Sequence, residues 1–289
     1  MNIKKPIDIL IYGTGAVGST LGWILAQNQH ARLSVVCRSN YEAVKQRGLQ
    51  MNTIMWGDGT LHPFRVARST SELTGIPFDY VVCTNKVTNS DGHSLADELA
   101  HVVSTRTTLV SAQNGVGVEA PLQNAFQDNT VLSAVCYISC LQTIPGVVHQ
   151  VSNIRPHAFH IGLYNTIERR QSAADLQRLK TFVALDDKFK EIEDVRAERW
   201  TKQIFNGAWN PMAALSGLET HQLLGSPYLQ MVKKLAEETF DVAVRSGISL
   251  PTNLPERTIE LARVNPSLAP SMLQDWRKKK PMEVDSLCG

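Results

Sequence analysis

The spacing of apolar positions changes along this chain, and the change divides it. Residues 7–12 read I-D-I-L-I-Y, an apolar run of strand length, and residues 19–27 follow with apolar residues at helical spacing. Residues 33–37, 78–83 and 107–112 are further apolar runs, and each ends abruptly in polar residues: C-R-S-N, T-N-K-V-T-N and Q-N-G-V-G. Short buried strands alternating with helical patterns predict a parallel sheet and an α/β class. Over residues 130–163 β-branched runs without helical spacing, broken by a turn at Pro145-Gly146, predict antiparallel strands extending the sheet edge. A helix is expected over 172–185 and a short strand near 189–192. From residue 194 onward the pattern is helical, with segments at 197–215, 228–246, 251–264 and 271–280.

The first strand runs directly into G-T-G-A-V-G, residues 13–18. Strand, glycine turn and helix are the context that gives this motif meaning. Gly13 permits the tight turn, Gly15 lets backbone amides approach a pyrophosphate, and Gly18 lets helix and strand pack closely. Thr14, Ala16 and Val17 complete the turn. The expected architecture is therefore a Rossmann-type dinucleotide-binding domain over residues 1–193, followed by an all-helical domain over residues 194–289. Where the second strand ends, an acidic residue would bind the ribose hydroxyls of NAD; Arg38 stands there instead, and its fork suits a 2′-phosphate, which favours NADPH. Ser39 followed by Glu42 matches a capping box opening the next helix. Lys86 and Asn114 lie beyond the carboxyl ends of two further strands, where open α/β sheets hold ligands. The Asn114-Gly115 pair also reads as a turn with positive φ.

The segment A-E-R-W-T-K-Q-I-F-N-G-A-W-N-P-M-A-A-L places Lys202, Asn206 and Asn210 four residues apart twice over. At about 100° per residue these side chains drift only about 80° in total, so they share one helix face. The remaining faces carry Trp200, Ile204, Phe205, Trp209, Met212 and Leu215, which predicts a buried helix with a polar row that needs partners. Pro211 removes one backbone bond, and a kink is expected there. Ser271 followed by Gln274 reads as another capping box, and Glu283 after Pro281 as part of a helix's first turn.

Composition excludes several classes. A net charge of +2 over 289 residues, with Arg277 to Lys280 the one dense basic run, gives no ground for a nucleic-acid partner. Lys4 and Lys5 precede apolar residues in the manner of a signal peptide, but Gly13, Gly15 and Gly18 interrupt the run at once. The long uncharged stretches 9–31 and 129–154 are broken by Gly, Pro, Asn and Gln, so no membrane span is expected. Five scattered cysteines without a C-x-x-C pair read as free thiols of a cytoplasmic protein. His149, His157 and His160, with no acidic residue beside them, read as ordinary sheet residues, and no metal site is expected.

By G-T-G-A-V-G at Gly13, Q-N-G at Gln113, P-G-V-V-H at Pro145, W-T-K-Q-I-F-N-G-A-W-N-P at Trp200, S-M-L-Q-D at Ser271 and E-V-D at Glu283, the chain resembles the ketopantoate reductase (2-dehydropantoate 2-reductase) family from end to end. The resemblance implies a Rossmann domain, a helical domain, a cleft between them, and NADPH-dependent reduction of ketopantoate, a small 2-keto acid, to pantoate for pantothenate synthesis. It implies Lys202 as the catalytic lysine, Asn206 and Asn210 as asparagines beside the substrate, and Asn114 as a cleft asparagine. Ser271 and Glu283 become the serine and glutamate that hold the substrate, and Arg38 and Lys86 become NADPH contacts. A homodimer is a further expectation. Leu268, where family members often carry asparagine, and Thr220 depart from the family pattern. The chain ends six residues past Glu283, so a shortened helical domain is expected. Two other readings suit the same residues: a reductase of another 2-keto or β-keto acid, and a non-catalytic NADP(H)-binding protein.

Overall fold

The computed structural model describes residues 5–87, 94–164 and 172–289, without the side chain of Asn153. Lys4 and the Thr88-Asn89 end of the polar run after Cys83 lie outside the described residues. The chain opens with β1 (Ile7–Tyr12), α1 (Ala16–Ala26), β2 (Ala31–Val36) and α2 (Tyr41–Arg47). Three short strands follow, β3 (Leu49–Thr53), β4 (Gly59–Leu61) and β5 (Arg65–Ala67), then β6 (Tyr80–Cys83), α3 (Leu95–Leu99), β7 (Thr108–Ser111) and α4 (Ala120–Ala125). A strand-rich stretch holds β8 (Val131–Cys136), β9 (Ile138–Ile144), β10 (Val147–Asn153) and β11 (Phe159–Leu163), before α5 (Ala173–Val183) and β12 (Phe189–Glu191). The rest is helical: α6 (Val195–Ser216), α7 (Thr220–Leu224), α8 (Leu229–Arg245), α9 (Leu254–Val264), α10 (Ser271–Arg277) and α11 (Val284–Cys288). The molecule is thus an α/β sheet domain followed by a helical one.

Eight strands form the main sheet in the order β12-β11-β8-β7-β6-β1-β2-β5. From β8 to β5 every neighbouring pair is parallel, and β11 runs antiparallel to β8. Chain order reverses at β1, which pairs β2 on one side and β6 on the other, so a crevice opens where their carboxyl ends diverge. The unbroken apolar runs follow from burial on both faces. Along β1, Ile9 and Ile11 enter one core with Leu21, Ile24 and Phe182, whereas Leu10 and Tyr12 enter the opposite core with Leu99 and Leu122.

The edge strands differ from expectation. β9 and β10 do form an antiparallel pair turned at Gly146, but they leave the main sheet and join β3 and β4 in a second sheet of order β4-β3-β10-β9. Their pairing partner, β3, lies about a hundred residues upstream, beyond the reach of local pattern. The expected Ser39 capping box is also absent: Asn40 is the N-cap of α2 and makes no side-chain bond to its helix.

Compact units divide near residue 194. The first gathers described residues of Met1–Lys86, Gly92–Gln113 and Glu119–Glu193; the second gathers Val87, Asn114–Val118 and Asp194–Gly289, so short loops from the first half belong to the helical unit. That unit is built on α6, opened by the Asp194 side chain accepting from the Ala197 amide and closed by Gly217 in the left-handed region. Ile204, Trp209 and Ala213 pack with Val232 and Ala236 of α8, Ile259 of α9 and Leu273 of α10. Pro211 sits inside the helix without ending it. Leu215 corrects the expectation of an apolar helix buried all round, being 83% exposed near the helix end. Among the described residues no helix is long and apolar enough to cross a membrane.

Candidate active site

In the first unit the glycine turn lies at the crevice. The Thr84 amide donates to the Tyr12 carbonyl (3.0 Å), and the Thr84 hydroxyl donates to the Gly13 carbonyl, so the turn is clamped from the end of β6. A Cβ on Gly18 would collide with the Gly13 carbonyl oxygen and the Thr84 hydroxyl, which is why helix and turn can approach this closely only at glycine. Gly15 is the N-cap of α1, with no side-chain cap and no acidic residue in the first turn. A Cβ there would meet nothing within 4 Å. An uncapped helix start with open space beside it fits a dinucleotide pyrophosphate held by backbone N–H groups, and Ala16, Val17 and Gly18 supply that first turn. Thr14 is buried in the turn. Arg38, at the carboxyl end of β2, and Lys86, beyond β6, are both exposed.

Two side chains that sequence reasoning passed over brace this end of the sheet. Buried Asn40 donates to the Thr14 carbonyl and accepts from the Gln142 amide (2.8 Å), tying the glycine turn to β9. Gln113, 5% exposed, donates from Nε2 to both the backbone and side-chain oxygens of Asn85, at 3.0 and 3.2 Å. Asn40 stands in a helix-opening position, so its composition signals a cap; only the fold turns it to the glycine loop.

In the second unit Lys202, Asn206 and Asn210 lie along one face of α6, as their spacing predicts. The Lys202 ammonium donates to Asn114 Oδ1 at 2.8 Å, and the Asn210 amide donates to Asn206 Oδ1 at 3.3 Å. Asn210 Oδ1 accepts from both the Ser271 hydroxyl (3.1 Å) and the Met272 amide (3.0 Å). The expected Ser271–Gln274 capping box is therefore not formed. Ser271 is the first residue of α10, and Asn210 caps that helix from α6; Gln274 donates to the Ala269 carbonyl instead. Asn206 and Asn210 are 8% and 2% exposed, so every bond in this chain counts. Glu283, 6% exposed, is the N-cap of α11, and its Oε1 accepts from the Val87 amide at 3.1 Å.

Arg199, one helical turn before Lys202, was also missed. It is buried, and its guanidinium donates to the Gly115 carbonyl at 3.0 Å, fixing the loop that presents Asn114. The signal was the three-residue interval to Lys202 on the same face. Gly115 has φ +106°, so the turn reading of Asn114-Gly115 holds alongside the side-chain contact. Within the helical unit the structure thus bonds Lys202 to Asn114, and links Asn206, Asn210 and Ser271 in a second bonded set along the same face of α6. Glu283 is placed there too, bonded to Val87. The residues of the glycine turn, Arg38 and Lys86 belong to the sheet unit. No group of His, Cys, Asp and Glu among the described residues could hold a metal.

A doubly wound sheet with an uncapped glycine turn, joined to a helical unit carrying a polar lysine–asparagine row, is the architecture of a dinucleotide-dependent oxidoreductase. Residues 9–165 match the family described as "Ketopantoate reductase PanE/ApbA" and residues 194–289 its C-terminal counterpart. The chain belongs to the ketopantoate reductase family. A 2-dehydropantoate 2-reductase from Mesorhizobium japonicum is 29% identical over 308 residues, covering 97% of this chain and 89% of the relative. The crystal structure of 2-dehydropantoate 2-reductase from Methylococcus capsulatus superposes with a TM-score of 0.81 at 30% identity, covering 97% and 87% of the two chains. A D-mandelate dehydrogenase, solved with NADH and anilino(oxo)acetate, shares the fold with a TM-score of 0.77 at 19% identity over 97% of this chain and 89% of its own.

Proposed function

We propose that this protein reduces 2-dehydropantoate (ketopantoate) to pantoate with NADPH, a step of pantothenate biosynthesis, and that Lys202 is its general acid. The observation that carries the reading is the Lys202 ammonium held by Asn114 at the head of the Asn206–Asn210 row, in a chain of this family.

Bound NADPH would supply a hydride to the keto carbon. As the carbon–oxygen π pair moves onto oxygen, the Lys202 ammonium stabilises that charge and passes a proton to it; the resulting amine regains a proton from solvent. An ammonium has three donors, and the bond to Asn114 fixes the direction of one of them. Asn206, Asn210 and Ser271 line the substrate, Ser271 toward its carboxylate, and Glu283 accepts a hydrogen bond from its hydroxyl. Residues Gly13, Thr14, Gly15, Ala16, Val17 and Gly18 would cradle the pyrophosphate, Arg38 would meet the 2′-phosphate, and Lys86 would contact the cofactor. In this assignment residues 1–193 form the NADP-binding domain and 194–289 the substrate domain.

Mixing the protein with NADPH and ketopantoate and following loss of the reduced nicotinamide's absorbance tests this. Turnover is expected, and Lys202→Ala should lower kcat by about 10²- to 10⁴-fold. Absence of turnover by the wild type, or undiminished turnover by the variant, overturns it. A second reading, reduction of a different 2-keto acid, is favoured by Thr220 and Leu268. These two departures from the family pattern bond to each other, each amide donating at 3.1 Å, to the Leu268 carbonyl and the Thr220 hydroxyl. A panel of 2-keto acids that differ in their branching separates the two.

We place the enzyme in the cytoplasm, a reducing compartment that suits its free thiols. We also place it in a homodimer.

A further inference from the structure

The end of β2 carries more positive charge than Arg38 alone. Val36 of β2 pairs in register with Ala67 of β5, and the Cys37 amide donates to the Ala67 carbonyl at 3.0 Å, so Arg38 and Arg68 leave the carboxyl edge of the sheet from adjacent parallel strands. Neighbouring strands stand about 5 Å apart, and continuing the register sets Arg68 beside Cys37, one residue before Arg38. The Arg68 guanidinium lies over the Tyr41 ring, 4.0 Å from its centroid, and is paired with Glu42. Tyr41 is itself 8% exposed, and its hydroxyl accepts from Lys45 at 3.0 Å. A buried ring therefore holds a guanidinium by its face and an ammonium by its hydroxyl, with two carboxylates close by: Glu42 on the guanidinium and Glu72, which accepts from the Arg68 amide at 3.2 Å.

We propose that Arg68, stacked on Tyr41, is a second guanidinium for the adenosine 2′-phosphate of NADPH, and that Glu42 holds it until the phosphate arrives. The inference rests on the NADPH reading and deepens it. Three observations favour it over an ordinary surface ion pair. The glycine turn begins beside this strand end, since the Gly13 amide donates to the Val36 carbonyl at 3.1 Å, so a ribose leading away from the pyrophosphate passes over β2 toward β5. The stacked fork is planar and pre-aimed, and a phosphate dianion accepts from two such forks better than from one. The site is still cationic with Glu42 and Glu72 included, because Arg38, Lys45 and Arg68 outnumber them.

Glu42 gives the proposal a second sign. A carboxylate beside an incoming phosphate repels it, so removal of the charge should tighten NADPH binding, whereas a merely structural ion pair predicts loss or no change. The experiment is a fluorescence titration of NADPH and NADH against the wild type, Arg68→Gln, Arg68→Lys, Glu42→Gln and Arg38→Gln, each with a thermal melt. Arg68→Gln should raise the Kd for NADPH about tenfold and leave that for NADH within about twofold; Arg68→Lys should recover part of the loss, and Glu42→Gln should lower the NADPH Kd a few-fold. The proposal falls if Arg68→Gln weakens both cofactors equally or neither. If the wild type prefers NADPH and Arg38→Gln removes that preference while Arg68→Gln leaves it intact, the cofactor reading stands and this one falls. If the wild type binds both cofactors alike, the NADPH reading itself is overturned.

Discussion

Asn210 is a single residue on which two elements depend. Its side-chain oxygen accepts from the Ser271 hydroxyl and from the Met272 amide in the first turn of α10, and its amide donates to Asn206, all at a position 2% exposed. Replacement by alanine leaves a hydroxyl, an amide and a carbonyl without partners in a dry interior, each costing about 1–3 kcal/mol before relaxation. Asn210→Ala is therefore expected to lose about 2–4 kcal/mol of stability, read as a drop in the denaturant midpoint, and to raise KM more than it lowers kcat. An unchanged midpoint would show that water replaces the lost oxygen. Lys202 and Asn210 look alike in the sequence, polar residues on an apolar helix. Their roles diverge only because Asn114 meets one and α10 meets the other.

For elements, the glycine turn makes the plainest case. Helix α1 can start where it does because Gly18 has no side chain to strike Gly13 and Thr84. Gly18→Ala forces apart a backbone that has no flexible atom to yield, at a cost of about 3 kcal/mol, and it moves the first helical amides from the pyrophosphate position. Loss of dinucleotide binding together with a lowered melting temperature is expected; retention of wild-type NADPH affinity would contradict the assignment of the cradle. Strand β1 was legible as an unbroken apolar run ending in glycine, and helix α6 from a period of 3.6 that extends over the whole element. β3, β4 and β5 were not. At three to five residues each they carry too few positions to show a period, and β3 and β5 also pair with strands distant in sequence.

The whole molecule has two units with separate cores, one on each face of the sheet and one on α6. On the helical unit Leu215, Tyr228, Met231 and Val242 are half or more exposed around a cavity of about 780 Å³ between α6, α8 and α11. So many exposed large apolar groups together favour a second copy of the chain as the cover. Sedimentation should report a dimer, and Met231→Glu should shift it toward monomer without changing the helical circular dichroism; a wild-type monomer at micromolar concentration would rule this out. Cys83 is buried and its pKa is pushed up to about 12 by desolvation, so its reactive thiolate is suppressed.

The sequence by itself determined the local devices of this protein: a glycine turn between strand and helix, an arginine in place of an acid after β2, and Lys202 in step with two asparagines. Each depends on intervals of a few residues, where chain geometry leaves little choice. Tertiary structure decided who meets whom. It sent Asn40 to the glycine turn rather than to its own helix, gave the cap of α10 to Asn210 rather than to Ser271, drew β9 and β10 into a separate sheet, and set Arg68 beside Arg38. Those outcomes hang on partners tens to hundreds of residues away, selected by burial and by the need to satisfy every buried polar group at once, and no local pattern encodes that competition.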